Sequence, residues 1–349
     1  YPKTSGDDEK ANNNSAGITS EEEYNNWLEE HAKDKVKSAD VKTVNGKNTF
    51  LGIDSGSTTT KIVIIDEDGK VVLRHYRNNN GNPVGAVVEG LTEIKKELEE
   101  KNININIART SVTGYGEDLI KAAFNMDEGI VETMAHYRGA KAFDEKVSFI
   151  LDIGGQDMKA IFIKDGIIEN IEINEACSSG CGSFIETFAR GMGYKVADFA
   201  DIACESVSPC DLGSRCTVFM NSKVKQSLRE GSSVADISAG LAKSVTLNCF
   251  TKVLKITDTS ILGDNIVVQG GTFKNSAVLR SVEKFLNRKV IRPDISELMG
   301  AYGCALLSLD TFKVKNEKTT FIGLDNLQEA NDYERRQLTC KGCENLCTV

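Results

Sequence analysis

Residues 50–66 read FLGIDSGSTTTKIVIID. FLGID is an apolar run of strand length, SGSTTT is a tight Gly/Ser/Thr turn, and KIVIID is a second apolar strand. The turn EDGK follows, and VVLRHY from Val71 makes a third strand. The segment is therefore expected to form a meander whose first hairpin is glycine-rich. A helix, NPVGAVVEGLTEIKKELEEK, and a strand, INIART, come next.

The same order recurs at residues 148–173, SFILDIGGQDMKAIFIKDGIIENIEI. Strand, Gly-rich turn, strand, Asp-Gly turn and strand follow each other again, and Asp152 takes the place of Asp54. A unit repeated in this way predicts an α/β fold of two similar subdomains facing each other across a cleft. After Glu175 the chain reads mostly helical, as in GSFIETFARGMG and VFMNSKVKQSLREG. DNIVVQGGTFKNSAVLRSVEKFLN is strand, Gly-Gly turn and helix, and ELMGAYGCALLSL is a closing helix.

Outwards from these units the texture changes. Residues 1–47 are polar and acidic and are expected to be a leader or linker, with a peripheral helix near TSEEEYNNWLEEHAKDKV that takes no part in a core. Residues 48–310 form the α/β domain: one subdomain of about 48–145 plus the closing helix 296–310, the other about 146–295. Residues 311–349 are a tail. The chain begins at Tyr1 rather than Met, which suggests a piece of a longer protein.

With 349 residues, 40% of them hydrophobic, the chain has ample material for a core. A net charge of −9 argues against a nucleic-acid surface, which needs an excess of Lys and Arg to displace phosphate counterions. No apolar run reaches the roughly 20 residues that span a bilayer, and no secretory signal is visible, so a cytoplasmic location is expected. The ten cysteines then read as thiols and metal ligands rather than disulfides.

The two hairpins carry the first chemistry. A glycine-rich turn lets backbone N–H groups approach an anion without Cβ interference. Gly56, Ser57, Thr58, Thr59 and Lys61 in the first copy and Gly154 and Gly155 in the second are candidate phosphate ligands. Asp54 and Asp152, each at a strand end, are a carboxylate pair suited to a hydrated Mg²⁺. The plainer reading is a β-hairpin with turn-favouring residues. A second copy and a third turn at Gly270 and Gly271 favour nucleotide binding, with Lys274 and Asn275 beside it. Gln156 and Asp157 are candidates to orient a water.

The cysteines carry the second. Cys177 precedes a small-residue turn and a helix, and Cys216 opens another helix. A helix N-terminus favours thiolate, which suits an iron–sulfur cluster. Two ligands per chain are half of a [4Fe–4S] set, and a twofold homodimer supplies four. The competing reading is two small core residues. CKGCENLC in the tail, with Cys340, Cys343 and Cys347, has metal-ligand spacing but no evident fourth ligand. Cys204, Cys210, Cys249 and Cys304 read as structural. His136 with Glu132, and Glu186 as a ribose contact, are weaker candidates, for which a core contact and a solvated helix face compete.

The hairpins resemble the ATPase superfamily of actin, Hsp70 and the sugar kinases (ribonuclease H-like), in which two hairpins clamp the phosphates. VVQGGTFKN looks like its adenosine segment. There is no GxxxxGK[ST], so a P-loop is not favoured. LGIDSGSTTTK, LDIGGQDMK, VETMAHYRGA, NEACSSGCGSF, GSRCTVFMNS, VVQGGTFKN and LMGAYGCAL together resemble the activators of 2-hydroxyacyl-CoA dehydratases, the BadF/BadG/BcrA/BcrD-type ATPases. This family also includes the ATPase subunits of benzoyl-CoA reductase. The resemblance covers about Phe50 to Leu309 and implies Cys177 and Cys216 as ligands of one [4Fe–4S] cluster per homodimer. It also implies ATP-driven transfer of a low-potential electron, taken from a ferredoxin or flavodoxin, to an acyl-CoA dehydratase or reductase. Cys181, four residues after Cys177, departs from the small activators; it is a candidate alternative ligand, and its presence resembles the larger, multidomain activators. An amino-sugar kinase and a nucleotide-dependent assembly or chaperone-like protein are the alternatives on the same fold.

Overall fold

The computed structural model of the chain describes residues 21–175, 180–214 and 217–331. Helix α1 spans Glu21–His31. Strands β1 (Asn48–Ser55), β2 (Thr59–Ile65) and β3 (Val71–Asn78) follow, then α2 (Pro83–Glu100), β4 (Asn106–Thr113), α3 (Glu117–Phe124), β5 (Glu128–Gly129) and α4 (Glu132–Lys141). The second copy brings β6 (Phe149–Ile153), β7 (Met158–Lys164) and β8 (Ile167–Asn174). Helices α5 (Gly182–Gly191), α6 (Val196–Cys204), α7 (Thr217–Arg229) and α8 (Val234–Leu247) come next. Strand β9 (Ile266–Gln269), α9 (Ser276–Leu286) and α10 (Met299–Lys315) complete the order. The chain divides into two compact units. The first is Lys37–Gly139 with the chain from Gly300 on, and the second is Ala140–Met299 with the chain up to Val36.

In the first unit the sheet order is β3-β2-β1-β4-β5. β1 is antiparallel to β2 and parallel to β4. Every residue of β1 from Thr49 to Ser55 is buried, as expected of a central strand covered on both faces. Helix α2 starts on its own signals: Pro83 holds the first position, and Oδ1 of Asn82 accepts from the Gly85 amide at 3.1 Å. Its Val84, Val87, Val88, Leu91, Ile94 and Leu98 recur at three and four residues and enter a core with Leu51, Ile53, Ile62, Ile64 and Phe124. Each such side chain contributes about 1.5–3 kcal/mol of transfer free energy. Part of the expected tail joins this unit: Leu327 and Ala330 are core residues, and α10 runs on to Lys315.

In the second unit the order is β8-β7-β6-β9, with β6 antiparallel to β7 and parallel to β9. This is the same meander-plus-parallel-strand plan as β3-β2-β1-β4. Phe149, Leu151, Phe184, Phe188, Leu241, Phe250 and Leu279 lie in its core. A π-helical turn, Asn248–Val253, continues α8 and buries the three consecutive residues Asn248, Cys249 and Phe250.

Helix α1 corrects the expectation that the leader stays out of the core. Trp27 is 7% exposed and belongs to the core of the second unit, with Tyr24 and Leu28 packed against it. Tyr24, Trp27, Leu28 and His31 share one face at helical spacing, and the surrounding acids and asparagines hide that stripe in composition. Among the described residues no helix is long and apolar enough to cross a membrane.

Candidate functional site

Asp54 ends β1 directly opposite Lys61 of β2, and the Lys61 ammonium lies 3.1 Å from its Oδ2. Gly56 donates to the Thr59 carbonyl at 2.9 Å and closes the turn, leaving Ser57 and Thr58 exposed and Thr59 half-buried. Asn79, at the end of β3, holds the turn from behind. Its Oδ1 accepts from the Thr60 hydroxyl at 2.6 Å, its Nδ2 donates to the Gly56 carbonyl at 2.8 Å, and its amide donates to the Thr58 carbonyl at 2.8 Å. The buried Ser55 hydroxyl beside Asp54 has no hydrogen-bond partner among the described residues. At Gly300, which opens the run of α10 in this unit, a Cβ would come within 2.8 Å of Asp54 Oδ2, so only glycine lets the helix approach the carboxylate.

In the second unit Asp152 is buried at the end of β6 and stands opposite Lys159, the register equivalent of the Asp54–Lys61 pair. Here the lysine ion-pairs with Asp157 of the turn. Gly154 donates to the Asp157 carbonyl at 3.0 Å and closes the turn, and Gly155 and Gln156 are exposed.

Three segments distant in sequence meet at this turn. The first amides of α5, from Gly182 and Ser183, donate to the carbonyls of Gly154 and Gly155 at 3.0 and 2.8 Å. The Thr272 hydroxyl donates to the Gly154 carbonyl at 3.0 Å. Gly270 adopts φ +93°, and a Cβ there would fall 2.3 Å from the Ile153 carbonyl oxygen, so the turn into this segment requires glycine. Gly271 is exposed beside it. Asn275 acts mainly as a helix cap: its Oδ1 accepts from the amides of Ala277 and Val278 at 2.9 and 3.3 Å. Lys274 pairs with Glu297 at 3.0 Å on the surface.

The sequence reading missed Lys159, although the repeat places it where Lys61 stands. It also missed Asn79, which acts from a strand end remote from the turn it supports. Gly300, within LMGAYGCAL, carried no local signal of the carboxylate it faces.

The predicted cluster ligands Cys177 and Cys216, and Cys340, Cys343 and Cys347 of the tail, lie outside the described residues. Cys181 is fully buried in the core at the start of α5. Cys249 is equally buried, donates to the Gly180 carbonyl at 3.2 Å, and has its thiol pushed up by burial. Burial and the carboxylates of Asp54, Glu117 and Glu132 push the Cys304 thiol up, and burial does the same to Cys204. Cys210 is half-buried against the core. Burial thus favours the neutral thiol at Cys204, Cys249 and Cys304. His136 is buried, with Nε2 3.5 Å from Glu132 Oε1. Glu186 ion-pairs with Arg190 on an exposed face of α5.

Known proteins are similar to this chain in sequence and in fold. The (R)-2-hydroxyglutaryl-CoA dehydratase activating ATPase of Acidaminococcus fermentans is 30% identical over 256 residues, which are 73% of this chain and 95% of that protein. The 2-hydroxyisocaproyl-CoA dehydratase activator of Clostridioides difficile is 31% identical over 266 residues, 75% of this chain and 96% of the relative. A solved structure of the 2-hydroxyisocaproyl-CoA dehydratase activator from Clostridium difficile, with bound ADPNP, superposes with a TM-score of 0.67 at 29% identity. That match covers 79% of this chain and 99% of the other. The fold is thus the duplicated α/β plan of the actin-like ATPases. With residues 51–308 matching its profile, the chain belongs to the BadF/BadG/BcrA/BcrD ATPase family.

Proposed function

We propose that this chain is an ATP-hydrolysing activator that passes a low-potential electron to a 2-hydroxyacyl-CoA dehydratase or a benzoyl-CoA reductase-type partner. The observation that carries the reading is the duplicated hairpin: Asp54–Lys61 and Asp152–Lys159 occupy equivalent registers at two glycine-rich turns inside the family segment.

The residues suit a magnesium nucleotide. The Ser55 hydroxyl, without a partner among the described residues, and the exposed hydroxyls of Ser57 and Thr58 offer donors at the first turn, and the exposed Gly155 leaves backbone accessible at the second. Lys61 would neutralise phosphate charge, and Asp54 and Asp152 would hold Mg²⁺ through its waters. Gly270 and Gly271 would receive the adenosine, with Lys274 and Asn275 at its edge. Gln156 and Asp157 would orient the attacking water, with catalysis resting on positioning and charge stabilisation. Such an ATPase differs from a P-loop enzyme in having two separate turns for one nucleotide.

The redox half of the proposal rests on Cys177 and Cys216, read as thiolates that share one [4Fe–4S] cluster with the same pair in a second copy of the chain. When bound, that group supplies a single low-potential electron. The donor that recharges it is a small redox protein of the ferredoxin or flavodoxin class, and the setting is the cytoplasm of an anaerobic cell.

Oxygen-free purification tests both halves. About four irons per two chains, with ATP binding, is the expected result. The variant Cys216→Ala should lose the iron and keep ATP. Metal-free protein that phosphorylates an amino sugar would overturn the redox assignment, and protein that binds no nucleotide would overturn the ATPase assignment.

A further inference from the structure

Helix α1 precedes the family-matching residues 51–308, yet its contacts lead toward the Gly270–Asn275 segment by two routes. The first runs through Asp34, just after the helix. Asp34 Oδ2 accepts from the Arg292 amide at 3.2 Å, and the Asp34 carbonyl accepts from the Asp294 amide at 3.0 Å. The Val36 amide returns a hydrogen bond to Asp294 Oδ1 at 2.8 Å. The loop so fastened is the one that backs the Gly-Gly segment. Gly270 donates to the Ser296 carbonyl at 2.8 Å, Lys274 pairs with Glu297 at 3.0 Å, and the Arg292 guanidinium donates to the Phe273 carbonyl at 3.4 Å.

The second route runs through Glu283 of α9, the helix that Asn275 caps. Glu283 Oε2 accepts from the Trp27 indole at 2.5 Å, and its Oε1 lies 3.0 Å from His31 Nε2 and accepts from the Val290 amide at 3.1 Å. His31 Nδ1 lies 3.3 Å from Asp34 Oδ2, which joins the two routes. Tyr24 and Trp27 also line a cavity with Ser276, Ala277 and Arg280 at the start of α9.

Phe273 anchors the segment in the core, but Gly270 and Gly271 bring no side chain to fix the backbone that opens it, and ordering that backbone on binding costs entropy. We propose that α1 and Asp34 form a brace that holds Gly270–Asn275 ready for the base of a bound nucleotide, with Asp34 as a positioning residue. This rests on the nucleotide reading above. Among the described residues the brace contacts the loop and the helix that back the segment assigned to adenosine, and neither phosphate turn, so its loss should discriminate between ligands that have a base and ligands that lack one.

The test measures affinity of the full chain for Mg-ATP and for Mg-tripolyphosphate. Trp27, the only tryptophan in the sequence, reports α1 docking by its emission in the same samples. Asp34→Ala should weaken ATP about fivefold and leave tripolyphosphate unchanged, and Asp34→Asn, which keeps an acceptor oxygen, should recover most of the loss. Unchanged ATP affinity, or an equal loss for both ligands, overturns the brace. Wild-type chain that binds neither ligand overturns the nucleotide reading and the brace with it. Should Asp34→Ala fail to fold, His31→Gln, which severs the link to Asp34 but can still donate to Glu283, is measured against the same expectations.

Discussion

Lys61 meets Asp54 across the first hairpin at 3.1 Å, and Lys159, its register equivalent opposite Asp152, pairs with Asp157 of the second turn. Thr59 stands where the second turn has Asp157, two residues before the lysine, so the second turn carries a carboxylate that the first lacks.

Lys61→Ala should leave the buried Asp54 carboxylate without its cation. A hydrogen bond to a charged group is worth about 1.5–3 kcal/mol, and the urea-denaturation free energy should fall by about that amount. ATP affinity should drop in the same variant. A stability equal to wild type would show that Asp54 is solvated well enough to do without the lysine.

Gly270→Ala introduces a Cβ at φ +93°, within 2.3 Å of the Ile153 carbonyl oxygen. Backbone strain alone costs about 1–3 kcal/mol. We expect a lowered melting temperature and a larger loss of ATP affinity than Gly271→Ala causes, since no atom of the described residues lies within 4 Å of a Cβ at Gly271.

Asp127 fastens the chain beyond α10 to the first unit. Its oxygens accept from the amide and hydroxyl of Thr110, the hydroxyl of Thr319, and the amide and hydroxyl of Thr320. Burial raises its carboxyl, but these hydrogen bonds outweigh burial and hold it below the usual carboxylate range. A depressed value stabilises the fold above the unfolded pKa of about 3.9, and the gain is lost as pH falls through the folded value. Asp127→Ala should cost about 1.5–3 kcal/mol at neutral pH, much less in acid, and speed proteolysis near Lys318.

His31 lies between Asp34 and Glu283, on a helix that also pairs Glu23 with Arg280 and Glu30 with Lys289. Lys284 of α9 lies close to the same face, its ammonium pulled down chiefly by burial. Burial lowers the His31 imidazolium, but hydrogen bonds to Asp34 and Glu283 outweigh it, and the net shift is upward. A raised value stabilises fully below the unfolded pKa of about 6.5, and the gain is lost as pH rises through the folded value. Trp27 emission should therefore report firm α1 docking in mild acid and looser docking in alkali, with the pH dependence flattened in His31→Ala.

Legibility in the sequence followed the physics of each element. The duplicated meanders could be read because central strands are apolar on both faces and their turns are rich in glycine. The turn residues were named for the same reason. Lys159 and Asn79 escaped because their roles depend on cross-strand register and on a strand end far from the turn. Asn275 was read as a ligand, and its side chain serves chiefly to start α9. Trp27 was placed outside the core because three apolar positions and a histidine in an acidic helix are a faint stripe until a partner surface is known. The cysteines proposed as cluster ligands drew their reading from helix-end chemistry and family resemblance together.

The π turn after α8 has an evolutionary corollary. One wide turn amounts to a residue inserted into a helix, and in a regular helix that insertion would rotate everything beyond it by about 100°. Confined to Asn248–Val253, the surplus residue is absorbed locally, and Cys249 reaches the Gly180 carbonyl, just past Cys177–Ser179 in the chain. Deleting a single residue there would re-phase this last turn and withdraw that anchor, so this stretch should tolerate substitutions far better than changes in length.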